Sequence, residues 1–443
     1  MKRGGARGAA PSTKRRRIMT LKKKVLWGAC VAAVIVFLYM LLAPAGTGTS
    51  RFYADQPYHF QVMRAMGDIP FGAGEAGEIL STIKNIPEGD DEAWFREWDK
   101  TAVRVEKAAR GYRNATSKGY GLLRAHSYYR TAEFFMGPGD DRRLASFDRN
   151  RRAFYDGLDA LGVRYTVVSV PYGNNTLKAI YYPGDARAVG KPLILMCGGY
   201  DSTLEELYFM LARGALDRGY SCLTFEGPGQ GSIIREQGLQ FTHEWEKPTG
   251  AVLDAFLARY PKPPKIVYVG GSLGGYLAPR AAAFDARIDG VVAFDVCYDF
   301  QEAALRQVPW VIRSMYGMGM TGLVNGLIKL KMKNTPGVRW GVQNAQWTMG
   351  AKDPVDLLSI FSKYSLKDVS DKIRGDVLIL AGEKDHFFPV TQVEEFRKAL
   401  VNARSVTTRV FTEQEGGHEH CQLGALSLMH AVLFEWVEEK FGR

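Results

Sequence analysis

A serine framed by glycines, Gly270-Gly271-Ser272-Leu273-Gly274, joins two segments of opposite period, and this junction restricts the possible folds more than any other stretch. Before it, Lys265-Ile-Val-Tyr-Val269 is an apolar run of strand length; after it, Gly275 to Phe284 carries small residues at helical spacing. A chain that passes from strand to helix within so few residues needs sharply bent backbone, and glycines supply it because they lack a Cβ to collide with either element. A serine on such a turn stands clear of both elements, as a nucleophile must. Ser272 is therefore the candidate nucleophile.

The surrounding pattern predicts an α/β core. Tyr165 to Val170 and Leu177 to Tyr182, joined through Gly173-Asn-Asn175, read as a hairpin. Strand-type runs then alternate with helical ones: Pro192–Met196, a helix through Leu204–Gly214, Tyr220–Phe225, a helix near Ala251–Leu257, the serine turn, and Gly290–Val296. Asp376–Leu380, a helix over Val393–Ala399, Thr407–Phe411 and a closing helix from Leu423 to Lys440 follow. Buried strands alternating with helices imply a mostly parallel sheet covered on both faces. The first part of this core spans residues 162–298 and the second 375–443. Between them, residues 299–374 are rich in Met, Trp and Tyr, too long for a loop, and are expected as a helical cap over the carboxyl edge of the sheet. Upstream, residues 75–161 have helical spacing and form an expected N-terminal helical module, with 43–74 as a linker.

The net charge of +11 suggests a nucleic-acid partner until it is located. Ten of the 58 Lys and Arg fall in residues 1–24, which contain no acid; the remaining 48 face 47 Asp and Glu, a net charge of +1. No nucleic-acid-binding surface is expected on so neutral a body. The uncharged apolar run 25–42 behind that basic cluster has spanning length, so a single transmembrane signal-anchor is expected, with residues 1–24 cytoplasmic and the body on the lumenal or extracytoplasmic side. Ala43-Pro-Ala45 offers the alternative of a cleaved signal peptide and secretion. The five cysteines show no metal-ligand spacing, and neither a metal nor an organic cofactor is expected.

A serine hydroxyl becomes a nucleophile when a histidine takes its proton and a carboxylate orients that histidine. Asp385, just past the strand 376–380, is the candidate acid, with Glu383 as fallback. His418 and His420 both follow the last strand and are the candidate bases. An oxyanion needs backbone N–H donors, one from the residue after the serine, Leu273, and one from the loop after an earlier strand, where Gly198-Gly199-Tyr200-Asp201 offers the Tyr200 amide. Phe225-Glu-Gly-Pro-Gly-Gln-Gly231 lacks the Lys-Ser/Thr ending of a phosphate loop and reads as a structural turn.

Together, Gly198–Glu206, Phe225–Gly231, Gly270–Gly275 and Glu419-His-Cys-Gln422 resemble an α/β-hydrolase subgroup with an N-terminal helical domain, over about Glu75 to Phe441. That subgroup includes 2,6-dihydropseudooxynicotine hydrolase, the fermentation-respiration switch proteins and hydrolases of fungal polyketide clusters. The resemblance implies Ser272, Asp385 and His420 as the triad, leaving His418 auxiliary, and a carbonyl-containing small-molecule substrate. It also implies an auxiliary role for Asp201, at a place where the carbon–carbon hydrolase of the group carries Glu. An acyltransferase on the same triad, or a binding protein retaining the fold, are the alternative functions.

Overall fold

A computed structural model describes residues 51–442 of the chain. Helices α1 (Gln56–Gly67), α2 (Ala76–Ile83), α3 (Asp91–Gly111), α4 (Ala115–Glu133) and α5 (Arg142–Ala160) come first. Their shared core is aromatic: Tyr58 stacks on Phe135 with ring centroids 4.5 Å apart and meets Trp94 edge-on at 4.9 Å. Helix α1 lies within the stretch expected as linker. It is buried on most sides, at Tyr58, His59, Phe60, Gln61, Val62 and Ala65, so its sequence lacks the one-sided apolar stripe by which a surface helix is recognised.

The hairpin β1 (Thr166–Tyr172) and β2 (Asn175–Tyr182) leads into β3 (Leu193–Cys197), α6 (Arg213–Asp217), β4 (Cys222–Glu226), α7 (Gly231–Gln237) and α8 (Glu246–Leu257). Strand β5 (Ile266–Gly271), α9 (Gly274–Ala282) and β6 (Gly290–Phe294) follow. Five helices then occupy the interval before the next strand: α10 (Phe300–Arg306), α11 (Trp310–Gly317), α12 (Thr321–Asn334), α13 (Pro336–Met349) and α14 (Pro354–Phe361). The chain closes with β7 (Asp376–Gly382), α15 (Thr391–Ala399), β8 (Ser405–Phe411) and α16 (Leu426–Phe441).

The eight strands form one mixed sheet in the order β1-β2-β4-β3-β5-β6-β7-β8; β1 and β2 are antiparallel to their neighbours, and β3 to β8 run parallel. Alternation along each strand feeds two cores. Leu193, Leu195 and Cys197 point with Tyr268 toward α8 and α9, whereas Ile194 and Met196 point with Val267 and Val269 toward α16. Every residue of β3 through β7 is buried, which is why these strands read as continuous apolar runs. Cys197, Cys222, Cys297 and Cys421 are buried and unpaired.

The expected single-pass membrane architecture is corrected here. Among the described residues no helix is long and apolar enough to cross a membrane. The longest, α3, has 21 residues but places charged side chains along the face away from its buried Trp94, Trp98, Ala102 and Val105. The run 25–42 to which the span was assigned lies outside the described residues. Membrane attachment and a single-pass localisation are accordingly withdrawn.

Candidate active site

Parallel strands bring their carboxyl ends to one edge, where the chain turns outward and side chains from distant segments meet. Ser272 follows β5 and has φ of +60°, a conformation that L residues rarely adopt and that tight packing must hold. Its N–H donates to Phe294 O at 2.6 Å. A Cβ on Gly270 would run into the carbonyl of Gly274, so helix α9 starts directly against the strand that precedes it.

Ser272 Oγ lies within hydrogen-bonding distance of His420 Nε2, at 2.8 Å, and His420 Nδ1 donates to Asp385 Oδ2 at 2.7 Å. Asp385 Oδ1 also accepts the N–H groups of Phe387 (2.7 Å) and Phe388 (3.0 Å), which fixes the carboxylate plane. Burial opposes the charge on Asp385, but the adjacent His420 outweighs it and holds the carboxyl below its ordinary range. Burial likewise disfavours a charged His420, and Asp385 reverses this, raising the imidazole well above its usual value.

The loop after β3 runs against the serine turn. A Cβ on Gly199 would lie 2.7 Å from Ser272 Cβ and 2.8 Å from Leu273 N, a close approach that only glycine permits. The amides of Tyr200 and Leu273 donate to no other group among the described residues. Gln230, in the Gly-Pro-Gly-Gln turn after β4, is buried and donates through Nε2 to the carbonyls of Gly198 (2.8 Å) and Gly199 (3.0 Å). Sequence reasoning assigned this turn a structural role and did not identify Gln230; the signal was the turn itself, one of the four linked motifs.

A second acid also went unrecognised. Asp295, fully buried after β6, lies 3.7 Å from His420 Nδ1 and accepts Cys421 N–H at 2.8 Å and Gln422 Nε2 at 2.9 Å. Burial, then the charge of Asp385, pushes its carboxyl up to about 8. Nothing in its local sequence distinguishes Asp295 from a residue that ends a strand.

His418 is not brought to Ser272; its carbonyl accepts Lys384 N–H at 2.9 Å. Glu383 is exposed and accepts Glu413 N–H at 2.7 Å. Asp201 lines the cavity near Ser272 but is paired, with Oδ2 2.7 Å from Arg64 Nη1 and 2.9 Å from Arg130 Nη2. Glu206 binds the same two arginines at 2.7 Å each. Burial opposes the charge on Asp201, but the two guanidinium groups hold its carboxyl far below the usual range.

Helix α1 reaches the site as well. Gln56 Nε2 donates to Glu419 Oε2 at 3.2 Å and to His386 Nδ1 at 3.1 Å. Only the amide nitrogen can donate to a carboxylate, so the orientation of Gln56 follows, and the His386 proton sits on Nε2. The cavity over Ser272 measures about 1250 Å³ and is lined by α1, by α10 to α14 and by the loops after β3, β5 and β7.

Residues 193–427 match the family model described as "Alpha/beta hydrolase family". The chain is also 32% identical over 422 residues to hydrolase acrC of Aspergillus aculeatus, covering 88% of this chain and 98% of the relative. The chain belongs to the alpha/beta hydrolase family. A further relative within it, the 20-hydroxy-prefusarin hydrolase of Gibberella moniliformis, is 32% identical over 414 residues, covering 88% of this chain and 98% of its own. The solved structure of 2,6-dihydroxy-pseudo-oxynicotine hydrolase superposes with a TM-score of 0.65 at 19% identity, covering 85% of this chain and 95% of the other, a likeness of fold. This alpha/beta hydrolase is thus an enzyme with a hydrolytic function and a helical N-terminal region.

Proposed function

We propose that this enzyme is a serine hydrolase that cleaves a carbonyl-containing small molecule through an acyl-enzyme. The observation carrying this reading is the continuous hydrogen-bonded line from Ser272 Oγ through His420 to Asp385 at 2.8 and 2.7 Å. The reaction starts from the neutral form of His420 with its proton on Nδ1, toward Asp385, in which Nε2 is free to accept. Ser272 Oγ attacks the carbonyl carbon while its proton passes to Nε2, and Asp385 stabilises the imidazolium that forms. The amides of Leu273 and Tyr200 are the donors to the developing oxyanion, and Gln230 holds the loop that carries Tyr200. As the tetrahedral intermediate collapses, the leaving group takes the proton from Nε2. Water then repeats the sequence on the acyl-enzyme, returning Ser272.

Asp201 enters this scheme as a fixed charge. Two arginines keep it ionised, so it is poorly suited to exchange a proton during carbon–carbon cleavage, and ester, amide and lactone substrates are favoured over diketones. His418 has no part in it. Transfer to an alcohol acceptor would use the same residues, and product analysis with and without such an acceptor separates the two outcomes.

The test is reaction with a fluorophosphonate probe and turnover on an ester panel, each with Ser272→Ala beside it. Labelling is expected to vanish and kcat to fall by about 10⁴–10⁶ with an unchanged melting curve. Undiminished turnover would end the assignment of Ser272.

A further inference from the structure

The helices over the cavity have an unusual charge balance. From residue 303 to 352 there is no Asp or Glu, while seven Lys and Arg are present. Arg306 and Arg339 are accounted for by ion pairs to Glu302 at 2.7 Å and Asp91 at 2.5 Å. Arg313 and Lys331 form no ion pair among the described residues, and both line the cavity.

Helical geometry makes this more than a solvated face. On α12 the cavity-lining positions include Val324, Leu327, Ile328 and Lys331, which share one face at the spacing i, i+3, i+4, i+7, with Lys333 and Asn334 beyond them at the end of the helix. The apolar stripe facing the cavity thus ends in a lysine where a further apolar residue would continue the packing. On α11 the lining residues Ile312, Arg313 and Tyr316 likewise include a cation. Two separate helices each direct a cation to the same roof. None of the three lining acids belongs to these helices: Asp201 is held by arginines, Asp55 accepts Tyr58 N–H, and Glu88 accepts the N–H groups of Ala54 and Asp55. The space below exceeds the ~300–1,000 Å³ usual for small-molecule sites and is predominantly apolar.

Resting on the serine-hydrolase reading, we propose that the substrate is a large apolar acyl compound bearing an oxyanion, a carboxylate or phosphate. Its carbonyl lies at Ser272 and its anion meets Arg313 and Lys331 under the roof. A long stem satisfies the apolar lining, and the cations set which end enters.

Binding is measured calorimetrically on the full chain carrying Ser272→Ala, with decanoate, decyl phosphate and decanol as probes. At least one oxyanion is expected to bind about tenfold more tightly than decanol, the margin shrinking as salt is raised. In Lys331→Met with Arg313→Met the margin should vanish while decanol affinity is kept; methionine continues the apolar stripe, so packing survives. Equal affinities for all three probes, or a margin that persists in the double variant, would overturn the proposal. Turnover of neutral p-nitrophenyl decanoate by the chain with Ser272 tests the serine-hydrolase reading separately: its absence defeats that reading, while the binding comparison still decides the anion site.

Discussion

At the scale of single residues, the unusual feature is that two buried carboxylates face one imidazole nitrogen. Asp385 is 2.7 Å from His420 Nδ1 and stays ionised, while Asp295, at 3.7 Å, is pushed up to about 8 by burial and by Asp385 itself. Two like charges this close in a dry setting cannot both form cheaply, so the pair divides the roles. Replacing Asp385 by Asn removes the charge that orients the histidine and should lower kcat about 10⁴-fold near neutral pH. It also removes one of the two influences that raise Asp295. As the pH is raised toward 8, Asp295 should ionise beside the same nitrogen and restore part of the loss. A pH–rate profile of Asp385→Asn checks this, with Asp385→Asn/Asp295→Asn expected to show no recovery.

At the scale of elements, the helices before the sheet meet the active-site loops through charge. Arg64 of α1 and Arg130 of α4 each bind both Asp201 and Glu206, from the loop that also carries the Tyr200 amide. Tyr200 in turn donates its hydroxyl to Gly341 O of α13 at 2.6 Å. One loop therefore joins three parts of the molecule. Arg130 is 6% exposed, and removing it leaves two acids sharing one partner in a largely desolvated place. Arg130→Ala is expected to destabilise the protein by about 3–5 kcal/mol, as loss of one member of a buried ion cluster does. Chemical denaturation measures it. Arg130→Lys should recover only part, because an ammonium cannot make the forked contacts of a guanidinium.

For the whole molecule, buried histidines away from Ser272 set an acid limit. His126 and His430 are each 1% exposed, and burial pushes both down to about 4. A folded-state value below the unfolded one, near 6.5, means that the unfolded chain binds more protons between those values. Their contribution to stability is thus complete above about pH 6.5 and is lost as the pH falls toward 4, on the order of 3 kcal/mol for each. The melting temperature should decline steeply across that window. His430→Gln, which retains a donor for Met210 O, should flatten the decline.

Much of this architecture was legible in the chain because local period reports local environment. The alternation of apolar strands with helices announced the parallel core, and the Gly-x-Ser-x-Gly turn located Ser272, since strand and helix geometry depend on residues next to one another. The same locality explains what was missed. Helix α1 is buried on most sides and has no stripe to betray it. Asp295, Gln230, Arg64 and Arg130 owe their positions to partners 126, 32, 137 and 71 residues distant, respectively. The apolar run 25–42 suggested a span by composition alone, and the described fold offered nothing to support it. What the sequence determined by itself was the alternation of strands and helices in the core and the candidate serine, histidine and acid. Which of them meet, and which acid carries the charge, was decided only by tertiary packing, because burial and distance set a carboxylate's proton affinity and neither is a local property.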